Sequence, residues 1–241
     1  MEPTILTTGL IDRVEQVRRT IFRLALVLLG ATLLAYPFAK QLLHIVQLPL
    51  HAKLIIYAPL EGFLGHIKVS IATGVIITSP LMLYEVKRFL QTVCRMPRKT
   101  AVRATVATGG LFLLGVGFCY AVILPVTLRF LLSYGGDTIA AGISVSKYLT
   151  LTLTLAAVCG VMFELPLVTF ILHRLGLISI AFLTQNRRYA IMLAAVATAI
   201  LTPTPDAFTM TLLLVPLLAL YEVSILVLRI VERHPSHDAD D

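Results

Sequence analysis

The chain has 241 residues, of which 58% are hydrophobic and 14% charged, with a mean hydropathy of +0.90. Soluble domains average about 45–50% apolar and about 25% charged residues, so this chain lacks the polar surface to cover itself in water. Composition excludes a soluble enzyme, a DNA-binding domain or a disordered scaffold and assigns the chain to the membrane. The net charge of +7 is then read as a topology signal and not as a nucleic-acid footprint.

Residues 10–21 place Val14, Val17 and Ile21 on one face at helical spacing, with Asp12, Glu15, Arg18 and Arg19 elsewhere. This predicts an amphipathic interfacial helix leading into a first span. Six apolar stretches follow one another at 20–39, 67–84, 104–132, 148–172, 189–201 and 208–228. Windows of about 20 residues cross a bilayer, and spans must be helical because hydrocarbon offers the backbone no partner. The first stretch outruns the apolar core of about 7–15 residues found in cleaved signal peptides, so it reads as a retained span.

The segment between the first two spans, 41–66, has its own apolar content and predicts a cap on the outer surface. The fifth stretch is short, about 20 Å long as a helix. With the turn Thr202-Pro203-Thr204-Pro205-Asp206 it predicts a hairpin that does not fully cross. Pro80, Pro125, Pro166 and Pro216 fall inside spans, where each removes a backbone bond and bends its helix. The predicted fold is an all-α membrane protein of six bent helices in a concave bundle. It divides into an amphipathic segment (1–19), the transmembrane domain (20–230) and a polar tail (231–241) whose last seven residues read as disordered.

Fifteen of the 20 basic residues fall at one end of the spans, leaving Lys40, Lys53, Lys68, Arg129 and Lys147 elsewhere. The positive-inside rule puts that end, and both termini, in the cytoplasm. Lys68 and Arg129 lie near span ends and are expected to snorkel. Three widely spaced cysteines, Cys94, Cys119 and Cys159, give neither a disulfide framework nor a zinc pattern. No HExxH, GxSxG, paired membrane aspartates or GxxxxGK[ST] occurs, so no catalysis, metal, cofactor or nucleotide site is predicted. Ionisable groups inside spans carry the remaining signal. Glu164 is either a partner for a carbonyl freed beside Pro166 or a polar point in the concave face. Glu222 reads as a contact between helices. Glu85 and Phe89, one helical turn apart, extend the charged surface of the N-terminal helix.

Several ordered landmarks carry a resemblance. They are Tyr57-Ala58-Pro59-Leu60-Glu61-Gly62-Phe63, Gly115-x-x-Phe118-x-Tyr120-x-x-x-x-Pro125, Phe163-Glu164-Leu165-Pro166, Arg188-Tyr189, Leu201 to Asp206, and Leu220-Tyr221-Glu222. Together they resemble the TatC family, the polytopic core of the twin-arginine protein translocase. The resemblance implies a glove-like bundle in the cytoplasmic (inner) membrane that binds twin-arginine signal peptides of folded cargo. It also implies oligomeric assembly with small single-span Tat partners and transport driven by the proton-motive force.

Matching positions for the signal peptide are Glu15, Gln16, Arg18, Glu85, Phe89 and Arg98. The family's Glu-Leu-Arg reads Gln16-Val17-Arg18 here, and the family's loop glutamate is replaced by Arg98. No acidic residue occurs from Val86 to Gly136. Arginine recognition rests on charge-assisted pairing with carboxylates, so Glu15 and Glu85 are the candidates to supply it. The resemblance moves Glu164 toward function and gives Thr202 and Met210 to partner docking, with Met210 where the family often has glutamine. Pro80, Tyr120, Pro125, Pro166, Asp206 and Pro216 are carried over as structural. The alternatives are a diverged paralogue without twin-arginine selectivity, or a small-solute or ion transporter using Glu164; the absence of an internal repeat counts against the transporter.

Overall fold

The computed structural model describes residues 4–47, 54–55, 59–92, 97–133, 143–202 and 206–233. The chain folds almost entirely as helix, as a backbone with no water to bond must. Helix α1 (Thr4–Ala35) runs without interruption from the amphipathic segment into the first span, then turns through Tyr36–Phe38 into α2 (Ala39–Gln47). Strand β1 (Leu54–Ile55) precedes α3 (Pro59–Thr92). The third span is α4 (Arg98–Phe118), a π-helical turn at Cys119–Ile123, and α5 (Leu124–Ser133). Strand β2 (Ile143–Ser144) leads into α6 (Val145–Phe163), and α7 (Leu165–Arg174) continues it. Short α8 (Ile180–Gln185) and α9 (Arg187–Leu201) precede α10 (Ala207–Arg233).

Among the described residues five segments are long and apolar enough to cross a membrane: Arg18–His44, Leu60–Arg88, Arg98–Ser133, Val145–Arg174 and Ala207–Glu232. The sixth, α9, has 15 residues and spans only about 22 Å against a hydrocarbon thickness of about 30 Å. Its first residue is level with Glu222 of α10, the two joined by Arg187 Nη2 to Glu222 Oε2 at 3.1 Å. Glu222 thus makes the expected contact between helices, and α10 continues past it to Arg233 unaccompanied by α9.

The core centres on α6. Leu149, Leu155 and Tyr148 are buried there against Val69 of α3, Ile123 and Leu124 of the third span, and Leu213 of α10. Glycine sets the spacing between α4 and α6: a Cβ on Gly115 would lie 2.6 Å from the Cys159 carbonyl oxygen. Such small-residue contacts replace the hydrophobic drive that lipid cannot supply. The same approach buries Cys119 and Cys159 in one cluster. Helices α1 and α3 meet at a similar point, where a Cβ on Gly74 would press on Thr32.

The proline bends differ in kind. Pro166 lies in the first turn of α7 and Pro125 follows the π turn, so both coincide with interruptions of the α-helix. Pro80 and Pro216 lie inside continuous helices. The Ile76 carbonyl that Pro80 cannot reach accepts the Ser79 hydroxyl at 2.7 Å.

At the end opposite the basic residues, α2 takes the start of the segment 41–66 and α3 its end, while 48–53 and 56–58 of the expected cap lie outside the described residues. The β1–β2 ladder joins this region to the start of α6, with Leu54 opposite Ile143 and Ile55 opposite Ser144. Lys68 Nζ donates to Ser146 Oγ at 2.9 Å and Thr150 Oγ1 at 2.7 Å, tying α3 to α6. Arg129 is exposed, and the tail beyond Arg233 lies outside the described residues.

Gly115→Ala forces the α4 and α6 backbones apart and is expected to lower stability by about 1–3 kcal/mol. Gly117→Ala, which meets nothing within 4 Å, serves as the control. Thermal unfolding of the detergent-solubilised protein measures the difference.

Candidate functional site

At the basic end, α1 lies along α3. Arg23 Nη1 donates to Glu85 Oε1 at 3.0 Å, with the Arg23 side chain 53% exposed and that of Glu85 6%. The carboxylate that the sequence offers to a signal arginine is therefore already held by an arginine of its own chain. Arg18 and Arg98 are exposed nearby in chain order, Arg98 opening α4. Glu15, Gln16 and Phe89 lie on α1 and α3, their side chains outside the described residues. The sequence reading missed Arg23; the signal was there, since a basic residue on α1 faces the last acid before a long acid-free stretch.

Glu164 sits at the joint between α6 and α7. Its N–H donates to Val161 O at 3.1 Å and its carbonyl accepts from Leu167 at 3.0 Å and Val168 at 2.9 Å. The backbone is thereby satisfied across a break in the α-helical run. The carboxyl is not: Oε1 is buried without a hydrogen-bond partner. Among the described residues no bond links it to a carbonyl freed by Pro166. Glu164 instead lines a cavity of about 180 Å³ between α3 and α4, whose wall includes Ile76, Ser79, Met82 and Phe112. A buried polar atom left unmade costs about 1–3 kcal/mol.

The hairpin of α9 and α10 brings Thr202 and Met210 to its turn, residues 203–205 lying outside the described set. Thr202 ends α9 and its hydroxyl donates to Ala199 O at 3.3 Å. Asp206 Oδ2 accepts the Thr209 N–H at 2.7 Å and so caps α10. Tyr120 lies in the π turn, 39% exposed.

The TatC family model, described as Sec-independent protein translocase protein (TatC), matches residues 12–216. The chain belongs to the TatC family. Its similarity to the TatC of Carboxydothermus hydrogenoformans is 32% identity, covering 92% of this chain and 93% of the relative. For the TatC of Aquifex aeolicus identity is 34%, covering 91% and 95%. A crystal structure of the twin-arginine translocase receptor TatC superposes with a TM-score of 0.80 at 32% identity, covering 91% of this chain and 99% of that one. The TatC fold therefore extends over nearly the whole chain, including the short α9 and the joint at Glu164.

Arg23→Ala leaves the buried Glu85 carboxylate without its partner and is expected to cost about 1–3 kcal/mol. The double variant Arg23→Ala/Glu85→Ala recovers part of that loss, and thermal unfolding of all three proteins in detergent measures the coupling. Glu164→Leu removes an unpartnered polar atom and is expected to hold or raise the unfolding midpoint in the same assay.

Proposed function

We propose that this TatC-family chain is the receptor and scaffold subunit of a twin-arginine translocase in the cytoplasmic membrane. Both termini face the cytoplasm, the side to which the positive-inside rule assigns the basic end. The observation that carries the reading is the match along nearly the full length of both chains to a structure named as the translocase receptor. Signal peptides of folded cargo dock at the basic end, on the surface shared by α1, the end of α3 and the start of α4. Small single-span partners dock at the α9–α10 hairpin near Thr202 and Met210, within an oligomer. The proton-motive force drives transport, and the chain is no enzyme.

Within this reading Glu85 serves an incoming arginine by exchange. A signal arginine takes the place of Arg23 on the same carboxylate, so one internal ion pair is replaced by another and little net charge is uncovered. Glu15, N-terminal to Arg23 in the sequence, is the second candidate carboxylate for the adjacent signal arginine.

Deleting the gene is expected to block export of folded twin-arginine cargo, and this gene is expected to restore it. Photocrosslinking of a twin-arginine peptide should exceed that of its twin-lysine variant and should fall in Glu85→Gln and Glu15→Gln, while Arg23→Gln retains or increases it. Equal crosslinking of both peptides overturns the receptor assignment, and an unaffected Glu15→Gln/Glu85→Gln protein overturns the exchange.

A further inference from the structure

A second and larger cavity, about 670 Å³, opens between α4, α7 and α10. Its volume falls within the range of small-molecule sites, about 300–1,000 Å³. Along α4 the groove is lined by Ala104, Ala107, Leu111 and Leu114, and along α10 by Val223, Val227 and Ile230. Phe163 and Pro166, at the break between α6 and α7, also line it.

The charged residues of this groove are Arg103 on α4 and Arg174 on α7, with the Thr100 hydroxyl among the lining groups. Both arginines are exposed, and neither takes part in any ion pair among the described residues. No acid is available on α4, since the sequence from Val86 to Gly136 contains none. The acid next to the groove on α10, Glu232, is engaged by His173 Nε2 at 3.2 Å. Two guanidiniums therefore stand at the basic end of an apolar slot without a counter-charge.

The depth of the slot also fits. From Arg103 to Leu114 the α4 face runs about 17 Å, close to half of the roughly 30 Å hydrocarbon thickness. A transmembrane helix from a partner needs a track as long as the whole hydrocarbon layer. A lipid of one leaflet needs half that length, with an anion at the charged end. Basic pockets between spans on the cytoplasmic side suit anionic headgroups.

We propose that the groove between α4, α7 and α10 binds an anionic phospholipid of the leaflet at the basic end. The phosphate lies between Arg103 and Arg174, and an acyl chain lies along Ala107, Leu111 and Val227. The site adjoins the signal-peptide surface at the start of α4, but neither Arg103 nor Arg174 is assigned to that surface. On α10 it takes the half beyond Leu220, away from the hairpin turn at Thr202 and Met210.

Native mass spectrometry of the detergent-solubilised full chain tests this, with phosphatidylglycerol and phosphatidylcholine of identical acyl chains offered in equal amounts. The expected result is preferential retention of phosphatidylglycerol, on the order of tenfold for two cationic groups. Arg103→Gln/Arg174→Gln brings the preference close to parity, whereas the off-groove pair Arg88→Gln/Arg188→Gln leaves it in place. Ala107→Trp lowers retention of both lipids. Equal retention of the two lipids by the unmodified chain overturns the proposal, as does an equal loss in the two arginine pairs. Crosslinking of a single-span partner to Ala107→Cys, with lipid retention insensitive to Arg103 and Arg174, assigns the groove to a helix and also overturns it.

Discussion

Every backbone amide inside the spans must find its partner inside the chain, and the architecture follows from that requirement. Hydroxyl side chains in the spans obey it by turning back on their own helices. Thr32, Thr78, Thr105, Thr169 and Thr198 each donate to the carbonyl four residues earlier. Polar residues can thus sit in apolar spans without asking anything of a neighbour. Bends are handled in the same local way, by Ser79 beside Pro80 and by the π turn before Pro125. At Glu164 the backbone is satisfied but the side chain is not, and a position that keeps such a group is the natural place to look for a role beyond folding.

Contacts between helices divide into an apolar middle and two polar ends. The middle relies on close backbone approach at Gly115 and Gly74. The end opposite the basic residues is stapled by Lys68 to Ser146 and Thr150, by the Ser144 hydroxyl to Glu61 Oε2 at 3.2 Å, and by the Tyr148 hydroxyl to Val46 O at 2.8 Å. The basic end carries the ion pairs, Arg23 with Glu85 and Arg187 with Glu222. These pairs consume acids that an external cation would otherwise meet. With so few acids at that end, each one already engaged raises the selectivity demanded of any arginine-bearing ligand.

The spans, their helical state, the shortness of α9 and the concentration of positive charge were legible in the sequence, because apolar run length and charge position are local quantities. Landmarks such as Phe163-Glu164-Leu165-Pro166 also located the joint between α6 and α7. What the sequence hid was pairing across distance. Lys68 has the chemistry of a snorkelling residue, and only the nearness of Ser146 and Thr150, far along the chain, gives it another task. The bond from Arg23 to Glu85 joins residues 62 apart in sequence. The arginine-ended groove is assembled from three helices, so no window of sequence contains it.

The uninterrupted α1 has a mechanical consequence. Its 32 residues extend about 48 Å, well beyond the hydrocarbon thickness, with no hinge between the amphipathic turns and the span. It is clasped to α3 at two heights, by Arg23 on Glu85 and by Thr32 against Gly74. A load applied to its first turns is therefore borne by a stiff lever and not by a slack tether.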